Sequence, residues 1–224
     1  MYNETLDLIL EKKLIVILRN VEESKLIPLQ DALYAQGVQC IEVTFDQKRP
    51  DGVEATARAI RMLKEHRSEM AVGAGTVLTE AQLDAAFAAG AAFIISPDSN
   101  REIIRATREY GMVSMPGAMT PTEIINAYRW GASIVKVFPA GDLGTAYFRS
   151  LKGPINHVPL SAVGGIDHVN MESFYREGVV CFGIGSHIVK KDMLAENDFE
   201  AIGYNARLYT EQIERWNTLS LIHI

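Results

Sequence analysis

Strand-like and helix-like stretches alternate along the whole chain, and this alternation limits its fold more than any other feature. Runs rich in apolar and β-branched residues at 14–18, 39–45, 71–73, 92–95, 112–115, 132–139, 158–163 and 179–183 read as strands. Apolar residues at helical spacing lie between them: Leu26, Leu29 and Leu33 in one stretch, Val53, Ala57, Ile60 and Leu63 in the next. Further helical patterns cover 80–89, 101–110, 121–130, a shorter stretch at 147–151, and 169–177. Gly90, Gly111, Gly131 and Gly178 each stop a helix just before a strand, the usual C-terminal signal. A short amphipathic helix at 1–13 precedes the series, and a turn at 186–190 with a long helix at 198–216 closes it.

Strands apolar on both faces belong to a parallel sheet covered by helices. Eight strand–helix units in 224 residues leave no room for a second domain. The expectation is therefore an α/β fold, a single (β/α)8 TIM barrel spanning 1–224, with its core at 13–190. An open doubly wound sheet is the alternative, but its edge strands should be more polar than these.

Composition excludes several classes. The net charge is −6 and no basic cluster is interleaved with aromatic residues, which argues against nucleic acid. No apolar stretch reaches the length of a membrane span, and no basic start leads into one, so a cytoplasmic protein is expected. Cys40 and Cys181 lie in apolar strand-like runs and read as buried free thiols. The histidines His66, His157, His168, His187 and His223 are scattered without ligand spacing, so no metal is expected.

Active sites of such barrels lie at the carboxyl ends of the strands. Lys136 is a cation inside the run Ile134-Val135-Lys136-Val137-Phe138, and Glu42 is a carboxylate inside Ile41-Glu42-Val43-Thr44. Burial shifts a lysine toward its neutral, nucleophilic amine. Two buried opposite charges on different strands are expected to face each other. They read either as an amine nucleophile with a general acid/base or as a structural ion pair. Parity along the strands puts Thr44 on the face of Glu42, and Phe138 on that of Lys136. Arg19 ends the first strand, where it could clamp a carboxylate. The last two strands run into Gly164-Gly165 and Gly183-Ile184-Gly185-Ser186, each read as opening a helix and as a cradle for phosphate.

Six segments in this order and spacing carry a resemblance: Ile41-Glu42-Val43-Thr44, Val72-Gly73-Ala74-Gly75-Thr76-Val77, Ile95-Ser96-Pro97, Met115-Pro116-Gly117, Lys136-Val137-Phe138-Pro139 and Gly164-Gly165. Together they resemble the 2-keto-3-deoxy-6-phosphogluconate (KDPG) / 4-hydroxy-2-oxoglutarate (KHG) aldolase family, over about 14–186. The resemblance implies a class I aldolase without metal or cofactor, and typically a homotrimer. It places the Schiff-base lysine at Lys136 and the acid/base glutamate at Glu42. Phosphate loops fall on Gly164-Gly165 and Gly185-Ser186, and pocket-lining positions on Thr76, Pro97 and Phe138. The expected partner is a small phosphorylated 2-keto acid.

Two departures stand out. One branch of the family carries a carboxylate-gripping arginine where this chain has Asp46, and members lacking it place an arginine at the position of Arg19. Arg19 is thus the substitute anchor. Many members have threonine before the double glycine, where this chain reads Ala162-Val163; that feature resembles the sister 2-keto-3-deoxy-6-phosphogalactonate aldolases, although Thr44 is kept. A phosphate-binding barrel isomerase or epimerase using Glu42 as a base is the alternative from another class. A ligand-binding barrel without catalysis is a further one.

Overall fold

A computed structural model describes residues 3–222. Its strands are β1 (Leu14–Leu18), β2 (Cys40–Thr44), β3 (Ala71–Gly75), β4 (Phe93–Ile95), β5 (Val113–Met115), β6 (Gly117–Ala118), β7 (Val135–Val137), β8 (Leu160–Val163) and β9 (Val179–Ile184). All their pairings are parallel, in the order β5-β4-β3-β2-β1-β9-β8-β7-β6. β5 and β6 are halves of one stave. Pro116 separates them because it has no N–H to give a ladder. Its carbonyl still accepts from the Lys136 amide (2.8 Å), and the Ser114 carbonyl accepts from that of Ser133 (2.8 Å). These bonds close the ring onto β7, and the expected eight-stave barrel results.

Ten helices complete the described residues: α1 (Glu4–Lys12), α2 (Glu23–Tyr34), α3 (Gly52–His66), α4 (Glu80–Ala88), α5 (Arg101–Glu109), α6 (Pro121–Trp130), α7 (Ala140–Lys152), α8 (Met171–Arg176), α9 (Lys191–Glu196) and α10 (Phe199–Ile222). The four punctuating glycines all adopt positive φ, as a left-handed helix stop requires. No described helix is long and apolar enough to cross a membrane.

Two apolar regions hold the fold. One lies between sheet and helices. The other fills the barrel, where Ile15, Cys40, Phe93, Val113, Ile134 and Cys181 meet Ile9 of α1, which plugs the end opposite the site. Both cysteines are free and buried, and burial pushes each thiol up to about 12.

Three expectations need correction. α7 begins at Ala140 rather than near Tyr147, and Gly144 (φ 72°, ψ 169°) interrupts it, so its first turn shows no long period in the sequence. Neither glycine turn opens a helix directly. After β8 a side-chain-capped turn intervenes, with Asp167 Oδ1 accepting from the Val169 and Asn170 amides. After β9 a single turn intervenes, closed by the Val189 amide on the Gly185 carbonyl (2.9 Å). Finally, α9 was not expected, because its six residues bury no side chain and leave no hydrophobic period.

Candidate active site

Strand order decides the geometry of the site. Round the closed ring, β2 and β7 lie diametrically opposite, since each route from one to the other passes three staves. Glu42 and Lys136, both inward-facing, therefore face each other across the barrel. They are 2% and 7% exposed. Burial holds the Lys136 amine below the usual lysine range; Glu42 opposes this and Arg19 adds to it. Burial raises the Glu42 carboxyl, against the pull of Lys136 and Arg19. Among the described residues neither group makes a hydrogen bond or a direct ion pair. The structural salt bridge is therefore not closed.

Glycines on β3 make room for the Glu42 side chain and for Phe93 below it. A methyl group at Gly75 would collide with the Glu42 carboxylate itself, and one at Gly73 with the Phe93 ring. We expect Gly75→Ala to fold yet displace the Glu42 carboxyl and lower turnover about tenfold or more, since such displacement near the chemistry is costly. Steady-state kinetics beside a thermal melt check this, and unchanged kcat would show that the carboxyl's position is unimportant.

At the carboxyl ends of β1, β8 and β9 opens a cavity of about 570 Å3, lined by Arg19, Phe138, Gly164, Gly165, Gly185 and Ser186 among others; Glu42 and Lys136 do not line it, and Phe138 is what connects it to the amine. The Phe138 ring centroid lies 5.0 Å from Lys136 Nζ, within cation–π range. Phe138 is 41% exposed and forms a rim of the cavity, so the barrel itself buries the amine. Gly164 and Gly165 take φ of +86° and +71°. The amides of Gly164, Gly165, Gly185 and Ser186 donate to no protein acceptor among the described residues, and two turns of free N–H groups on one cavity suit an anion.

The remaining expected positions lie elsewhere. Thr44 faces inward but donates its hydroxyl to the Leu18 carbonyl (3.4 Å) and borders a separate cavity of about 170 Å3. Thr76 and Pro97 do not line the main cavity. They end β3 and β4, which stand opposite β8 and β9 in the ring. Thr76 has φ +57°, a conformation costing a β-branched residue ~1–3 kcal/mol. Gln47 Nε2 holds it by donating to the Thr76 carbonyl (2.9 Å), and Gln82 Nε2 holds Gln47 in turn (2.8 Å). No sequence signal marked this brace. Asp46 accepts from the Lys48 amide (2.9 Å) and caps its own loop.

The family model described as "Aldolase: KDPG and KHG aldolase" matches residues 6–204. The chain belongs to the KDPG and KHG aldolase family. Membership makes it an aldehyde-lyase. A 2-dehydro-3-deoxy-phosphogluconate aldolase of Treponema pallidum is 35% identical, over 84% of this chain and 86% of the relative. A probable 2-dehydro-3-deoxy-6-phosphogalactonate aldolase of Rhizobium meliloti is 34% identical, over 83% and 86%. Among solved structures, a KDPG aldolase from Legionella pneumophila with pyruvate captured as a covalent carbinolamine shares 27% identity at a TM-score of 0.82, covering 92% of this chain and 97% of that one.

Proposed function

We propose that the chain is a class I aldolase that cleaves 2-keto-3-deoxy-6-phosphogluconate to pyruvate and glyceraldehyde 3-phosphate, and 4-hydroxy-2-oxoglutarate to pyruvate and glyoxylate. The observation that carries this reading is the pair Glu42 and Lys136: both buried, both pushed toward their neutral forms, and facing across a gap with no bond between them.

In this reading the neutral Lys136 amine attacks the 2-keto carbon to give a carbinolamine. Glu42, in the protonated form that burial favours, supplies the proton with which the hydroxyl leaves as water, and an iminium forms. The resulting carboxylate takes the proton of the 4-hydroxyl. The electron pair of the bond between the third and fourth carbons flows to the iminium nitrogen, and the aldehyde departs. The enamine left behind regains a proton from Glu42 at the third carbon, and water releases pyruvate and the free amine.

Arg19 is the anchor for the substrate carboxylate. It lines the cavity and acts electrostatically on both Glu42 and Lys136, which supports this role. Gly164, Gly165, Gly185 and Ser186 take the phosphate; Thr44, Thr76 and Pro97, which do not line this cavity, keep only the binding role that the resemblance implies. The resemblance adds a homotrimer of single-domain subunits in the cytoplasm.

Pyruvate with borohydride tests the class. The expected result is an irreversible adduct whose mass matches reduced pyruvate, mapped to Lys136. A folded protein without any adduct would sink the aldolase reading and leave an isomerase or a ligand-binding barrel. A second substrate reading, cleavage of the 4-epimer 2-keto-3-deoxy-6-phosphogalactonate, is favoured by Ala162-Val163 before the double glycine and by the Rhizobium relative. Comparing kcat/KM on the two epimers decides between them.

A further inference from the structure

The cavity that the glycine turns line has a wall that no part of the mechanism above uses. Lys191, Leu194 and Ala195 of α9 form it, beside the turn carrying Ser186 and His187. This wall is held in place. Lys25 of α2 donates to the Leu194 carbonyl (2.8 Å) and to that of Ala195 (3.4 Å), satisfying carbonyls at the end of α9. α9 is thereby tied over the cavity, with Lys191 as its first residue.

A charge census of the cavity points to one residue. Its permanently charged lining groups are Arg19, Lys25 and Lys191 against Glu22. Lys25 is committed to α9, only 16% exposed, and lies 4.0 Å from Glu22. Arg19 acts electrostatically on Glu42 and Lys136. Lys191 is left at the outer end, exposed, with no hydrogen bond or ion pair among the described residues. The whole chain carries a net charge of −6, so its overall field repels an anionic substrate and attraction must be local.

We infer that Lys191 is a specificity-determining residue that selects 2-keto acids ending in a phosphate over unphosphorylated ones. The four free amides of the glycine turns accept either anion by hydrogen bonding. A second negative charge, which phosphate carries near neutral pH and a carboxylate does not, is met by a mobile point cation on the adjacent wall. This inference rests on the aldolase reading for its substrate.

The experiment compares the parent with Lys191→Ala and Lys191→Arg. The parent's trapping of pyruvate by borohydride first settles the aldolase class independently. For an active parent, kcat/KM is then measured on KDPG and on KHG, and binding of inorganic phosphate is titrated calorimetrically, which needs no activity. We expect Lys191→Ala to lower the preference for KDPG over KHG about tenfold, mainly through KM, and to weaken phosphate binding similarly, as loss of one charge-assisted contact does. Lys191→Arg should restore most of both. Unchanged selectivity and phosphate affinity in Lys191→Ala, or an equal loss on both substrates, overturns the inference while leaving the trapped lysine intact. Should the parent trap no pyruvate, the aldolase reading fails first, and the phosphate titration alone then upholds or overturns the role of Lys191.

Discussion

Lys136→Met is expected to yield a folded protein that forms no borohydride-stable adduct with pyruvate and has no measurable aldolase turnover. Methionine keeps most of the stem volume and removes the amine, so the barrel wall stays packed. Stability distinguishes the two readings of this lysine. A structural cation paired with Glu42 would leave a buried carboxylate uncompensated when removed, at a cost of about 3–5 kcal/mol. In the observed geometry no such pair is closed, and burial moves the Glu42 carboxyl toward its neutral form. The Lys136→Met protein should therefore melt no lower than the parent at neutral pH.

The sign of the pH dependence follows from burial. Because Lys136 is depressed in the folded state, the unfolded chain binds that proton at pH values where the native protein does not. This contribution is absent above the ordinary lysine value of about 10.4 and grows as pH falls toward the depressed value. Below the depressed value it is a constant cost, and Lys136→Met relieves it. Imine formation follows the same group: the rate falls as pH drops through the folded value, where the amine takes its proton. If trapping in the parent falls off only along an ordinary lysine titration, the amine is not buried in solution as described.

Glu42→Gln is expected to retain the fold and to lose roughly 10²–10⁴ in kcat, the usual contribution of a positioned acid/base group. That corresponds to ~3–5 kcal/mol of barrier. Glutamine preserves shape against Gly75 but can neither give nor take the protons of dehydration and of the 4-hydroxyl. Lys136 remains, so pyruvate should still be trapped, more slowly. The split between surviving adduct and lost cleavage is the signature of an acid/base partner. Loss of both together, with a lowered melting temperature, would instead indicate a residue that only supports the barrel. In the parent the two groups act on each other, so the pH profile reports values for the pair. The limb assigned to the carboxyl should vanish in the glutamine variant.

Much of this protein is readable along the chain because the controlling signals are local. Apolar runs of strand length, helical spacing between them and glycines at positive φ marked most of the elements, with bounds differing by a few residues. Glu42 and Lys136 were conspicuous because a charge inside an apolar run is costly whatever the fold around it. Period-two alternation also put both side chains inside. What escaped was short or shared. α9 was too brief for a period, the break at Gly144 split α7, and the Gln47 brace on Thr76 depends on a backbone conformation that residue type does not announce.

The sequence by itself determined the staves, their inward faces and the two groups costly to bury, since strand parity and burial preference act over a few residues. Only the tertiary structure decided that β2 and β7 stand opposite each other, that the charge of Arg19 acts on both buried groups, and that Thr76 and Pro97 end on the wall across from the glycine turns. Those relations depend on where the ring closes, through Pro116 and the β5–β6 stave onto β7. Closure sums the register of every strand pair, so no single stretch of chain contains it.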